Sequence, residues 1–419
     1  MTLVVAFALF GAALVALALT ERWVTRLPLS PALLYLAAGY AAGWLFGMPP
    51  IGRWTDDAPV LRLVTEVVVL VSLVSVGLHV RVWPPTPAWT VALRLAGPAM
   101  VITIALAAAA AHWVLAMPWA AAMLLAAVLA PTDPVLASEV QVDDEKDRDA
   151  VRLSLTAEGG LNDGTALPAV MLGLGALGLH ELGPWGASWW WHDLVWPIGG
   201  GALIGVALGL ATGWALRWRI SHGDATRRDE LLYFGIVALS AGAALGTATS
   251  TFVVTFVAGC TLYVPLLSGE GRHGQSGLDT RGEVHAAEDL MARMSAFGLR
   301  VERLAEAAIV LALGAALSSV TTTSQHWLFA LLLVTLARPL AVRATVRLSQ
   351  LPATQRRLVA WFGIRGIGSL FYLAFALEHG VQGALAVEMV AATLSAIALS
   401  IVLHGISAPH EHQWQYQRC

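Results

Sequence analysis

Five ionisable residues stand inside strongly apolar stretches of this chain: Asp133, Glu158, Asp163, Arg338 and Arg365. At the centre of a bilayer each would cost about 2.5–3.5 kcal/mol on insertion scales, so each must have a partner or a task. Asp133 lies in Ala130-Pro131-Thr132-Asp133-Pro134. Two prolines three residues apart each remove an N–H and free a carbonyl, which breaks a helix. At membrane depth such a break is tolerated only where it is buried in protein or lines a cavity. Glu158 and Asp163 share the run Thr156-Ala157-Glu158-Gly159-Gly160-Leu161-Asn162-Asp163. On a helix Glu158 and Asn162 fall on one face, whereas Glu158 and Asp163 point about 140° apart. The two acids therefore do not share one ligand shell, and each needs its own partner. Arg338 is the best available counter-charge for Glu158. Asp163 has no obvious fixed counter-ion, and a mobile cation or a proton could meet it. Arg365 sits in Gly363-Ile364-Arg365-Gly366-Ile367-Gly368. Three glycines around an arginine predict a second broken helix.

The elements that must position these residues are membrane spans. Of 419 residues, 57% are hydrophobic and 13% charged, about half the charge of a soluble domain. A water-soluble enzyme or nucleic-acid binder could not hide so much apolar surface, and a net charge of −3 points to no particular partner. The two cysteines, Cys260 and Cys419, cannot build a disulfide framework or a thiolate metal site. Windows of about 20 apolar residues predict about thirteen spans. They cover residues 2–20, 28–47, 60–80, 92–116, 118–138, 150–179, 195–216, 230–248, 250–267, 303–320, 326–346, 356–378 and 385–404. The first lacks the basic lead and small-residue cleavage site of a signal peptide and reads as a span.

Arginine placement sets the orientation. Arg53 and Arg62 fall on one side, Arg338 and Arg365 fall inside spans, and all other basic residues fall on the opposite side. This alternation holds for thirteen spans only with the N-terminus outside and the C-terminus cytoplasmic, in a cell (inner) membrane. Trp185, Trp189, Trp190, Trp191 and Trp196 then form an outer aromatic belt. Gly201, Gly205, Gly209 and Gly213, like Gly39, Gly43 and Gly47, recur every fourth residue and predict close helix packing. Residues 284–304 have apolar positions at helical spacing and predict an amphipathic helix on the cytoplasmic surface. Glu66, Glu139, Glu306, Glu378 and Glu388 lie nearer span ends, where snorkelling or local pairing accounts for them. His112 reads as a packed or interfacial histidine.

The predicted fold is an all-α polytopic membrane protein of two inverted six-helix repeats. If residues 195–216 are a linker helix, the broken spans are both fifth in their set of six, and an odd linker inverts the second set. Interrupted helices at corresponding positions of inverted halves point to a transporter binding site. Asp133 would meet positive half-helix N-termini and Arg365 the negative C-termini. The membrane domain is expected over residues 1–405, with a cytoplasmic loop and amphipathic helix at 268–302 and a short tail at 406–419.

At these residues the chain resembles the electroneutral branch of the monovalent cation/proton antiporters, the NhaP/NHE-type sodium/proton exchangers. The motifs are APTDPVLAS (130–138), EGGLNDGTA (158–166), ARPLAV (337–342) and GIRGIGSL (363–370), with weaker echoes in VGLHV (76–80) and FVAGCTL (256–262). The resemblance implies a homodimer. Core spans would lie within 92–180 and 326–404, and scaffold spans within 2–80 and 230–320. Asp163 would be the shared cation and proton site, with Thr132 and Asp133 completing it. Asn162 would bridge to the unwound span five, and Glu158 would be locked to Arg338. The Asn-Asp pair goes with one-for-one exchange. Gly159 stands where many relatives carry a cation-binding serine, and some relatives place an acid near Val76.

The expected mechanism is competition at one carboxylate. A buried carboxyl takes a proton more readily, and a bound cation drives it off. One negative site carrying either H⁺ or a monovalent cation moves no net charge per cycle. The expected function is exchange of Na⁺ (with Li⁺) for H⁺. K⁺/H⁺ or broad-selectivity antiport is the alternative, and a cation channel or uniporter a further one. No cofactor is called for. The chain shows no Gly-x-Ser with a suitable histidine, no protease-type aspartate pair and no metal-spaced histidine set, so an intramembrane enzyme is not expected.

Overall fold

The computed structural model describes residues 29–47, 56–80, 87–133, 150–222, 228–267, 277–347 and 350–416, with helical positions at 11, 15 and 19. Candidate span 2–20 and the second part of span five, including Glu139, therefore lie largely outside the described residues. Every regular element among the described residues is a helix. In chain order these are α1 Pro31–Phe46, α2 Ala58–His79, α3 Pro87–Val114, α4 Trp119–Leu129, α5 Ala150–Ala176, α6 Pro184–Ser221 and α7 Asp229–Thr247. There follow α8 Thr251–Leu262 (with a short helical turn, Val264–Leu267, directly after it), α9 Gly277–Leu317, α10 Ser324–Thr345, α11 Ala353–Trp361, α12 Ile367–Glu378 and α13 Gly383–Tyr416. Among them α2, α3, α6, α7, α10 and α13 are long and apolar enough to cross a membrane. Large apolar side chains such as Trp44, Leu203 and Leu245 remain exposed, as expected where lipid replaces water as the neighbour.

Small residues set the closest helix pairs. A Cβ on Gly205, Gly209 or Gly213 of α6 would run into the carbonyls of Val254, Ala258 and Leu262. Gly39 and Gly43 of α1 lie in the same way on the backbone of Leu311 and Ala315 in α9. Without a hydrophobic drive between helices in lipid, such backbone contact is what dispersion has to work with. Prolines act as expected from their missing N–H. Pro98 and Pro197 lie inside π-helical turns, Leu95–Ala99 and Trp189–Gly200. A third π turn, Leu333–Ala337, ends immediately before Arg338 and Pro339.

Three elements differ from the sequence expectation. Residues 284–304 do not form a separate surface helix, because α9 runs unbroken from Gly277 to Leu317 and takes in span ten. Its apolar stripe meets protein: Met291 and Met294 are fully buried, and Phe297 packs edge-on against Tyr233 and Phe234 of α7. Arg293 also ties this part of α9 to Asp229 at the start of α7, 2.5 Å away. Periodicity reports that one face is apolar but not whether lipid or protein covers it. Second, most of the expected tryptophan loop is helical, since Trp189, Trp190, Trp191 and Trp196 all lie in the first turns of α6. Third, α13 continues through Tyr416, so residues 406–416 of the expected tail are helical.

Candidate functional site

The site is built where two helix breaks cross. The first follows α4, whose end at Leu129 precedes Pro131, and residues 130–133 are non-helical. The second separates α11 from α12, with residues 362–366 non-helical. The two strands of irregular backbone hold each other, since the Asp133 N–H donates to the Ile364 carbonyl at 2.8 Å. The Asp133 carboxylate accepts a hydrogen bond from the N–H of Ile367, the first residue of α12. A negative group at a helix N-terminus satisfies an orphan donor and meets the positive end of the helix dipole. The Arg365 guanidinium donates to the Pro131 carbonyl at 3.4 Å, just beyond the C-terminal end of α4. Its backbone N–H donates to Ser400 Oγ of α13 at 3.0 Å. Both residues are almost wholly buried.

Glu158 and Arg338 form a bidentate ion pair. Arg338 Nη1 reaches Glu158 Oε1 at 2.5 Å and Nη2 reaches Oε2 at 2.7 Å. Nη2 also donates to the carbonyls of Val359 and Phe362, at 3.2 and 3.4 Å, where α11 ends. One guanidinium therefore joins α5, α10 and the C-terminus of α11. Gly363 is required beside it, because a Cβ there would collide with the Arg338 side chain.

Asn162 Nδ2 donates to Thr132 Oγ1 at 2.6 Å, tying α5 to the first break, and lies 3.4 Å from Glu158 Oε1. Asp163 is different. It is 1% exposed, and neither carboxylate oxygen has a hydrogen-bond partner among the described residues. Gly368 of α12 lies directly against the carboxylate. Tyr372, one turn further on, donates its hydroxyl to the Asp163 backbone carbonyl. Asn162 Oδ1 and Ser369 Oγ are also buried without a partner among the described residues. The crossing thus gathers oxygen atoms with free lone pairs, the donor type that replaces a hard cation's hydration shell. Gly159 and Val76 are buried and add no side-chain oxygen.

All seven residues singled out from the sequence are buried, and the breaks bring Thr132, Asp133, Asn162, Glu158, Arg338 and Arg365 into linked contacts, with Asp163 beside them on α5. Sequence reasoning missed Tyr372, Ser400 and the role of Gly368. A lone phenol or hydroxyl in an apolar span carries no pattern. At the span ends, Arg62 bridges Glu66 at 2.7 Å and Glu378 at 2.5 Å, so one arginine joins α2 to the far end of α12. Glu388 meets His326 at 3.0 Å, whereas Glu306 is buried.

Comparison with known proteins adds the following. The family model described as "Sodium/hydrogen exchanger, transmembrane" matches residues 10–410. The chain is 27% identical over 394 residues to the "K(+)/H(+) antiporter NhaP2" of Shewanella oneidensis. It is 26% identical over 384 residues to the protein of the same name from Shewanella sp. strain MR-4. Each match takes in 90% of this chain but 62% of the relative's length. Among solved structures, the sodium proton antiporter MjNhaP1 from Methanocaldococcus jannaschii at pH 8 shares the fold. Its TM-score is 0.71 at 20% identity, covering 98% of this chain and 99% of that one.

Proposed function

Because the chain belongs to the sodium/hydrogen exchanger family, we propose that it exchanges a monovalent cation for H⁺ across the membrane, one for one, with both competing for Asp163. The observation that carries this reading is an asymmetry among the five deep charges. Glu158 and Arg338 neutralise each other. Asp133 caps α12, and Arg365 meets a freed carbonyl. Asp163 has no such partner among the described residues. A buried carboxylate left unpaired is costly, so it must carry a proton or a cation. The two exclude each other, and the loaded site is neutral in either form. The membrane potential then does no work on the exchange, and direction follows the two concentration gradients.

Alternating access supplies the movement. The helices around the crossing would move as a core within residues 92–180 and 326–404, against a scaffold within 2–80 and 230–320 in a homodimer. The N-terminus would lie outside, in a cell (inner) membrane. Asn162, Thr132 and Asp133 would complete the cation shell, while the Glu158–Arg338 pair shapes the core. Apart from uptake and release of the proton at Asp163, no step in this cycle makes or breaks a covalent bond, so the protein is not an enzyme on this reading.

Na⁺, with Li⁺, is the first reading of the ion. K⁺ is the second, supported by the absence of a hydroxyl at Gly159 and by the name of the Shewanella relatives. The test is proton flux in proteoliposomes carrying an inside-acid gradient, with Na⁺, Li⁺, K⁺ and Rb⁺ added in turn, potential clamped and unclamped. One or more cations should collapse the gradient, and clamping should leave the rate unchanged. Conductance without proton coupling would replace this reading with a channel.

A second expectation concerns Gly368. A methyl group there would press on the Asp163 carboxylate and crowd the cation shell. Gly368→Ala should raise the half-saturating cation concentration about tenfold, equivalent to ~1.4 kcal/mol of lost affinity. Cation titration of the same flux assay checks this, and unchanged half-saturation would show that the carboxylate faces elsewhere when loaded.

A further inference from the structure

The acids at the crossing do not exhaust the buried ones. Glu302 lies on α9 and is 7% exposed. It belongs to an inward-facing stripe, Ser295, Gly298, Glu302 and Glu306, that recurs every three or four residues along the helix. Gly298 is required within the stripe, because a Cβ there would meet Tyr233 Oη of α7 and Ser75 of α2. The groups acting on the Glu302 carboxyl include the Ser75 hydroxyl and the charges of Asp133 and Arg303. Oε1 of Glu302 is buried with no hydrogen-bond partner among the described residues.

The neighbouring groups are otherwise engaged. His79 Nδ1 donates to the Ser75 carbonyl at 2.8 Å. Its Nε2 lies 2.7 Å from Ser295 Oγ, in hydrogen-bond contact. Tyr233 Oη donates to the Val71 carbonyl at 2.5 Å. Arg303, next in sequence, is on the exposed side of α9 and acts on the carboxyl as a favourable charge, with no ion-pair contact between them among the described residues. Glu302 is thus a buried carboxyl with one oxygen lacking a hydrogen-bond partner among the described residues, on a different helix from Asp133 but within its electrostatic reach. The argument that applies to Asp163 applies here, because an unpaired buried carboxylate must hold a proton or a cation.

We propose that Glu302 is a second cation-holding carboxylate, carried by α9 and not by the crossing, at which the monovalent cation rests on its way to or from Asp163. The proposal depends on the antiport reading above. Hydroxyls of Ser75 and Ser295 would complement the carboxylate, giving the oxygen-rich surroundings that a dehydrating alkali cation needs. The residue positions the cation and does not replace Asp163.

The test measures cation-dependent proton flux in proteoliposomes for wild type, Glu302→Gln, Glu302→Asp and Asp163→Asn, using the cation that wild type exchanges. Loss of binding shared by all steps raises KM and spares the maximal rate, so Glu302→Gln should raise half-saturation about five- to tenfold with the maximal rate within about twofold. Glu302→Asp keeps the charge and should fall between. Unchanged half-saturation in Glu302→Gln overturns the proposal, as does a lower maximal rate at unchanged half-saturation, the result of a purely structural role. If Glu302→Gln does not remain monodisperse, Glu302→Asp decides on the same criterion. If wild type shows no exchange, the antiport reading fails and this one with it. If only Asp163→Asn differs from wild type, the antiport reading stands and this proposal alone falls.

Discussion

Asp163→Asn is expected to lose cation-coupled proton flux while keeping its fold. The carboxamide has nearly the same volume as the carboxylate but neither takes up a proton nor balances a cation. The rate should fall at least about a hundredfold, equivalent to ~2.7 kcal/mol on the barrier. Stability should hold or rise. The carboxylate oxygens have no protein hydrogen bonds among the described residues to lose, and removing a charge from a site with 1% exposure removes a desolvation cost. Flux in proteoliposomes and the thermal midpoint in detergent are therefore to be read together. A variant that exchanges at the wild-type rate would remove Asp163 from the transport step. A variant that is inactive because it has unfolded would show that the carboxylate is needed for the fold itself.

The second large effect is on stability. Glu158→Gln or Arg338→Met alone leaves a charge buried at 5% exposure or less without its partner. Breaking a buried pair in this way costs about 3–5 kcal/mol. Arg338→Met also strands the Val359 and Phe362 carbonyls at the end of α11, so it should be the more damaging of the two. The double variant Glu158→Gln/Arg338→Met leaves no unpaired charge and should be more stable than Arg338→Met alone, with the interaction energy read from the double-mutant cycle. Arg338→Lys should not rescue, because an ammonium cannot make two parallel bonds to Glu158 and also reach the carbonyls. Tryptophan-monitored thermal unfolding gives the four midpoints. Singles that match wild type, or additive effects in the double, would show the pair to be energetically uncoupled.

The two expected results separate two kinds of buried acid on one helix, five residues apart. Glu158 is fully committed to protein partners, and its loss should show in stability. Asp163 is not, and its loss should show in transport. This difference follows from where helix α5 stands relative to α10 and α12, not from residue type.

Much of this was legible in the order of residues, for local reasons. Apolar runs of span length, prolines at 131 and 134 and glycines around Arg365 act within a few residues, through hydrophobicity and backbone geometry. They sufficed to indicate an all-helical membrane protein with two breaks, and to single out the acids that sit deep within it. Burial and pairing are not local. Arg338 and Glu158 are 180 residues apart, and Ile367 and Asp133 are 234 apart. Arg338 could be suggested as a partner by elimination, but its hold on the α11 carbonyls could not. The apolar stripe on residues 284–304 was visible, yet whether lipid or α7 covers it depends on the path of α9 as a whole. Glu302 passed unnoticed for the same reason. It falls in a charged segment, beside Arg300 and Arg303, where a glutamate reads as a solvated helix face. Packing of α9 against α2 and α7 turns that one carboxyl inward while its charged neighbours stay outside, because a helix sorts residues by angle and not by average composition.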